Sequence, residues 1–287
     1  IMMDSTTKNI IVTGGNTGIG YALCRQLVAD RNLGVKVYMG ARDAERGQTA
    51  VDAIKAAHPE VANCIELLLI DVSSDDSVAT AARKLKENDV SSLYALVNNA
   101  GVGFQTGNGN VDSLLNTNFF GTKRVSDAFV DMIQNEGRIV NVSSGAASMF
   151  LKKQSEEKKK FYTSKETTWE ELAAAVEEDK DSASMGGYGL SKAAVTAYTL
   201  QQSQRYPNLL CTSLSPGFIE TNMTKGFGAK LTPEEGTVST KKCLFGSVVS
   251  GNYYGSDGLR SPMTIGRDPG MPEYEGEANP EQTKYNR

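Results

Sequence analysis

The stretch KNIIVTGGNTGIGYAL, residues 8–23, decides the fold. A short apolar run, residues 8–13, leads into a glycine-rich turn, and the turn opens a helical pattern over 18–31. Gly14 suits a tight turn. Gly18 and Gly20 let the backbone approach a diphosphate and let the helix pack on the strand, with the helix N-terminus facing the anion. Asn16, Thr17 and Ile19 fill the remaining positions of the turn. A strand before such a turn and a helix after it predict a nucleotide site.

The same rhythm continues downstream. Apolar runs at 35–40, 65–70, 93–98, 137–143 and 208–215 read as strands, and GNYYGSD at 251–257 adds an edge strand. Helical patterns lie between them at 43–57, 75–88, about 112–134 and 187–205. Continuous apolar strands alternating with helices predict an α/β fold: a Rossmann-type, doubly wound parallel sheet covered on both faces. Residues 1–261 are expected to form a single nucleotide-binding catalytic domain. Two segments break the rhythm. Residues 152–184 are nearly half charged. Within them TTWEELAAAVEE predicts a helix, with Thr168 and Glu171 as a capping box and Trp169, Leu172 and Val176 on one apolar face. This segment is expected to be a helical insertion on the domain surface. Residues 262–287 hold four of the eight prolines, which favours an extended C-terminal tail.

Composition narrows the chemistry. The 287 residues are 39% hydrophobic and 22% charged, with a net charge of −4. That balance implies no nucleic-acid partner and no general attraction to anionic membranes. No apolar run approaches a membrane span, and the opening IMMDSTTKN does not read as a secretory leader. Cys24, Cys64, Cys211 and Cys243 are scattered without metal or redox spacing, as expected of thiols in a reducing cytoplasm. The single histidine, His58, precedes a proline at a predicted helix end and is expected at the surface. Acid–base chemistry must therefore use Tyr, Lys, Ser or carboxylates, and no metal-ligand cluster is visible.

About twenty residues past the glycine turn, a dinucleotide site usually places an acid on the ribose 2′-hydroxyl. Here the second strand ends GARDAERG, and Arg42 occupies or adjoins that place. A guanidinium pairs with a 2′-phosphate, so NADP(H) is expected over NAD(H). Farther on, GGYGLSKAAV (186–195) sets Tyr188 four positions before Lys192, on one helix face. A nearby ammonium favours tyrosinate, which predicts a lowered pKa for Tyr188.

Together these features resemble the short-chain dehydrogenases/reductases. Thr13 to Gly20 match that family's T-G-x-x-x-G-I-G turn, and the resemblance extends from residue 8 to about 258. It implies roles for further residues. Asp71 and Val72, in IDVSS, would contact adenine. NNAG (98–101) would end the fourth strand, with Asn98, Ala100 and Gly101 bordering the cofactor. Asn118 would hold a water in a proton relay, and Ser144 would hydrogen-bond the substrate carbonyl. Pro216, Gly217, Ile219 and Thr221 would lie at the nicotinamide. Tyr188 would act as general acid or base, and Lys192 would also hold the nicotinamide ribose.

The unusually long gap between Ser144 and Tyr188 resembles the insertion of monomeric, NADPH-dependent carbonyl reductases, which covers the helix face that other members use for dimerisation. A monomer acting on ketones, aldehydes or quinones is the implication. Phe104, Met149, Phe150, Phe218, Met223 and Phe227 are candidates for an apolar substrate pocket. GNTGIG and ARD also resemble retinol-dehydrogenase-type members acting on lipophilic alcohols. A non-catalytic NADP(H)-binding sensor or scaffold is the alternative of another class.

Overall fold

A computed structural model describes residues 7–90, 92–103, 110–181, 187–277 and 280–286. Among them the apolar runs form seven strands: Lys8–Val12 (β1), Val35–Ala41 (β2), Ile65–Leu69 (β3), Leu93–Asn98 (β4), Ile133–Val142 (β5), Leu210–Leu214 (β6) and Tyr253–Tyr254 (β7). All neighbours are parallel, in the order β3-β2-β1-β4-β5-β6-β7. Successive side chains of a strand point to opposite faces. Ile10, Val12, Val37 and Met39 accordingly enter one core, while Ile11, Tyr38, Leu96 and Ile139 enter the other. Burial on both faces is why these strands read as unbroken apolar runs.

Helices Gly18–Ala29 (α1) and Ala44–Ala57 (α2) cover the first face. Asp75–Glu87 (α3) covers the second. The next helical stretch is composite: Val111–Leu115 (α4) passes through a π-helical turn, Asn116–Phe120, into Gly121–Phe129 (α5). It ends earlier than its sequence pattern predicts, and β5 starts four residues before the expected 137. The cause is an irregularity. Leu93 pairs with Ile133 but Ala95 pairs with Arg138, so extra residues of β5 bulge out, with Glu136 at φ 62°. The polar bulge hides Ile133 from the apolar pattern.

Gly145–Lys152 (α6), Glu156–Tyr162 (α7) and Trp169–Asp179 (α8) follow β5, then Tyr188–Arg205 (α9) and, after β6, Val238–Phe245 (α10). The charged insertion thus contains two helices in its described part, and the predicted capping box of Thr168 and Glu171 is present. Its inner face is apolar and tightly packed. Tyr162, Leu172 and Val176 are fully buried with Leu190, Ala193 and Ala197 of α9. Trp169 stacks on Phe119 at 4.8 Å and meets Tyr198 edge-on. The Tyr162 hydroxyl donates to Asp179 at 3.1 Å, and Lys158 pairs with the same carboxylate. The insertion therefore encloses α9 from outside the sheet.

The C-terminal tail has no regular element from 262 to 277, followed by the single turn Gln282–Tyr285 (α11). It is also fastened to the domain. The wholly buried Arg267 side chain forms a bidentate pair with Asp257 at 2.9 and 2.6 Å, and Tyr285 is fully buried.

Candidate active site

The strand order reverses between β1 and β4, and in open α/β sheets the carboxyl ends of the strands at such a reversal are where a ligand crevice forms. Two turns meet there. Gly14 sits at φ 62°, and a Cβ there would come within 2.9 Å of the Ala100 Cα. At Gly20 a Cβ would lie 2.3 Å from the Gly14 carbonyl oxygen, so α1 can start this close to β1 only with glycine. The buried Thr13 hydroxyl accepts the N–H groups of Asn99 and Ala100, each at 3.0 Å. The Asn99 amide in turn donates to the carbonyls of Thr13 and Gly14 at 2.8 and 3.2 Å.

The Asn98 side chain turns into the protein and supports the sheet, donating to Ser126 and Asn141 at 3.0 and 2.9 Å, which leaves its backbone facing the turn. Asn99 is the residue that ties the two turns. NNAG contains both asparagines, and strand alternation was the available signal: with Asn98 facing the core, its neighbour must face the turn.

Asn16, Thr17, Gly18 and Ile19 line the start of α1; Thr17 is its N-cap residue and makes no side-chain cap bond. Arg42 is exposed just beyond β2. Asp71 follows β3 and accepts from the Ser73 N–H at 2.9 Å and its hydroxyl at 2.6 Å. The Val72 side chain packs in the core, so only its backbone can border a ligand.

The other side of the crevice gathers the polar groups. A Cβ at Gly101 would lie 3.3 Å from Asn118 Oδ1 and 3.4 Å from Lys192 Nζ. Asn118 lies within the π turn, where π geometry often marks functional positions. Its Oδ1 accepts the Val102 N–H at 2.8 Å, and its Nδ2 donates to the Val102 carbonyl at 3.0 Å and to Ser191 Oγ at 3.1 Å. The buried Lys192 donates to the Val142 carbonyl at 2.9 Å and stands 5.8 Å from the Tyr188 ring centre. Ser144 caps α6, accepting the Ala146 N–H at 3.2 Å.

The electrostatics differ from expectation for Tyr188. Burial raises its pKa, and hydrogen bonding with Ser144 opposes the rise without cancelling it. Burial also pushes the pKa of Lys192 down, to about 8. Both groups are thus driven toward their neutral forms.

A profile of the short chain dehydrogenase family matches residues 8–164. The chain is 32% identical over 255 residues to carbonyl reductase (NADPH) 1 of Mus musculus, across 82% of this chain and 89% of that relative. It belongs to the short chain dehydrogenase family. It is also 27% identical over 289 residues to (+)-neomenthol dehydrogenase of Capsicum annuum, across 82% of this chain and 90% of that one. Among solved structures it superposes on menthone neomenthol reductase from Mentha piperita with a TM-score of 0.74 and 26% identity, covering 88% of this chain and 100% of that one.

In this short chain dehydrogenase the segment after β6 arches back over the glycine turn. Gly217 follows Pro216 with φ 96°, and Thr221 Cγ2 would lie 3.3 Å from a Cβ at Gly18. Ile219 is buried, its side chain close to Gly236 and Gly217, so it supports the arch from beneath. Of the expected pocket residues, Met149, Phe218 and Phe227 are exposed and Met223 is partly so. Phe150 is partly buried and packs against the core under the insertion, edge-on to Tyr162 at 6.0 Å. Phe104 lies outside the described residues. Among those residues no helix is long and apolar enough to cross a membrane.

The pair of hydrogen bonds from the Asn99 amide predicts a stability effect. Asn99→Ala leaves two turn carbonyls without their donor and should cost about 1–3 kcal/mol, measured by urea unfolding. A loss below about 0.5 kcal/mol would show that the turns hold without it.

Proposed function

We propose that the chain is an NADPH-dependent reductase that converts the carbonyl of small or medium ketones, aldehydes or quinones to an alcohol. The observation that carries this reading is the convergence of Gly101, Asn118 and Lys192 beside Tyr188 and Ser144. Gly14 and Gly101 bring the turns and the Asn118–Lys192 cluster closer together than side chains would allow, which supports a backbone-lined dinucleotide site. Gly14, Asn16, Thr17, Gly18, Ile19 and Gly20 would hold the diphosphate, Arg42 the 2′-phosphate, and Asp71 with the Val72 backbone the adenine. Ala100 and Gly101 would border the ribose, which Tyr188 and Lys192 would hold. Pro216, Gly217 and Thr221 would flank the nicotinamide, with Ile219 beneath. When bound, NADPH supplies the hydride.

The protein supplies orientation and the proton. A raised pKa keeps Tyr188 protonated at neutral pH, the form required to donate to a carbonyl oxygen as negative charge develops there. Ser144 adds a hydrogen bond to that oxygen. Lys192, with its pKa near 8, supplies an ammonium that stabilises the phenolate left on Tyr188. Met149, Phe218 and Phe227 expose apolar surface suited to hydrocarbon-rich substrates. The names of the mouse, Capsicum and Mentha relatives, a carbonyl reductase, a neomenthol dehydrogenase and a menthone neomenthol reductase, favour the same chemistry.

We also propose that the enzyme is a monomer in the cytoplasm. Tyr162, Leu172 and Val176 cover the face of α9 that family resemblance assigns to dimer contacts, and four unpaired thiols suit a reducing compartment.

Wild-type protein should oxidise NADPH, and NADH more slowly, with members of a panel of dicarbonyls, quinones, aldehydes and cyclic ketones. Tyr188→Phe should lower kcat by about 10²-fold or more while NADPH binding persists; full activity in that variant contradicts the mechanism. Binding of NADPH with no turnover across the panel would point to a scaffold. Size-exclusion chromatography with light scattering should give the mass of one chain, and a stable dimer or tetramer contradicts the assigned role of the insertion.

A further inference from the structure

One oxygen atom joins the two turns that flank the crevice. Ser215, directly after β6, accepts the N–H of Gly145 at 3.1 Å and the N–H of Gly217 at 3.3 Å. Gly145 follows Ser144 and begins α6, and Gly217 belongs to the turn that arches toward Gly18. The first N–H groups of a helix have no partner within it. In α6 these are divided between two serines: Ala146 donates to Ser144, and Gly145 to Ser215.

A hydroxyl offers two acceptor lone pairs and one donor hydrogen. Both lone pairs of Ser215 are taken by backbone, which leaves its hydrogen to donate. The buried phenol of Tyr253, on β7, stands beside the Ser215 and Ser148 hydroxyls. Ser148 lies one turn along α6 from Ser144 and is buried. The Ser215 backbone is fixed as well, its N–H donating to the Tyr254 carbonyl at 2.9 Å. Its oxygen is therefore held where β6 runs into the Pro216–Gly217 turn, and from there it reaches across to the start of α6.

We infer that Ser215 is a positioning residue, whose Oγ sets the spacing between the Ser144 turn and the Pro216–Gly217 turn while Tyr253 fixes the direction of its hydroxyl. This rests on the reductase reading, in which the first turn addresses the carbonyl oxygen and the second the nicotinamide. Without Ser215 each turn keeps its own residues but loses its distance from the other. Proton and hydride delivery then no longer meet in one geometry, whereas NADPH binding, carried by the glycine turn and Arg42, persists.

The test compares wild type, Ser215→Ala, Ser215→Thr and Tyr253→Phe for kcat on a carbonyl that the wild type turns over. NADPH Kd and the primary isotope effect with C4-deuterated NADPH are measured alongside. Ser215→Ala should lose about tenfold to a hundredfold in kcat, show a larger isotope effect and keep its NADPH affinity. Ser215→Thr, which retains the oxygen, should recover most of the rate, and Tyr253→Phe should show a smaller loss in the same direction. Wild-type kcat and isotope effect in both Ser215→Ala and Tyr253→Phe overturn the inference and leave the reductase reading standing. If Ser215→Ala does not fold, Tyr253→Phe decides alone: a lowered kcat supports the inference and a wild-type kcat overturns it. A wild type that turns over no carbonyl overturns the reductase reading and this inference with it.

Discussion

A lysine with its ammonium under the end of a β-sheet is the constraint on which the site depends. Lys192 is 5% exposed, and its amine reaches the Val142 carbonyl at the end of β5. Burying an ammonium costs several kcal/mol unless its hydrogens find partners. The surroundings are arranged around that demand. Gly101 leaves space for the amine, Asn118 closes the next position from the π turn, and Ser143 accepts nothing of the charge but ties the Lys192 carbonyl at 2.9 Å. Holding α9 this close to β5 needs a helix packed on nearly all sides, and the insertion completes that packing with Tyr162, Leu172 and Val176. The charged segment thus serves the site through the helix it covers.

Burial also sets the protonation tendency of the pair. It raises Tyr188 and lowers Lys192, so at neutral pH the phenol keeps its proton and the ammonium stays only modestly favoured. A protonated phenol is ready to act as an acid.

Much of this is legible in the sequence. The β1 strand and glycine turn were plain because their residue types have few alternatives, and parallel strands buried on both faces announce themselves as apolar runs. The Thr168–Glu171 capping box and the apolar face of α8 followed from spacing alone. What escaped was decided by tertiary geometry. The β5 bulge placed polar residues inside a strand, and the π turn has no sequence mark that separates it from ordinary helix. The orientations of Asn98 and Asn99 depend on which strand face meets the core. Phe150, Val72 and Ile219 are apolar residues near a crevice, and composition cannot say whether such residues line it or lie beneath it. The rise in the Tyr188 pKa was missed because helical spacing supplies the neighbouring charge but not the burial that outweighs it.

The ionisation of Lys192 can be followed directly in the pH dependence of kcat/KM for NADPH, which reports groups of the free enzyme. The protonated amine is the form that binds and stabilises, and its pKa is lowered to about 8. The profile should be level below that value and fall about tenfold per pH unit above it, with the break lost in Lys192→Ala. A profile that stays level to about pH 10, near the pKa of an unperturbed lysine, would contradict the account of a buried, functional ammonium.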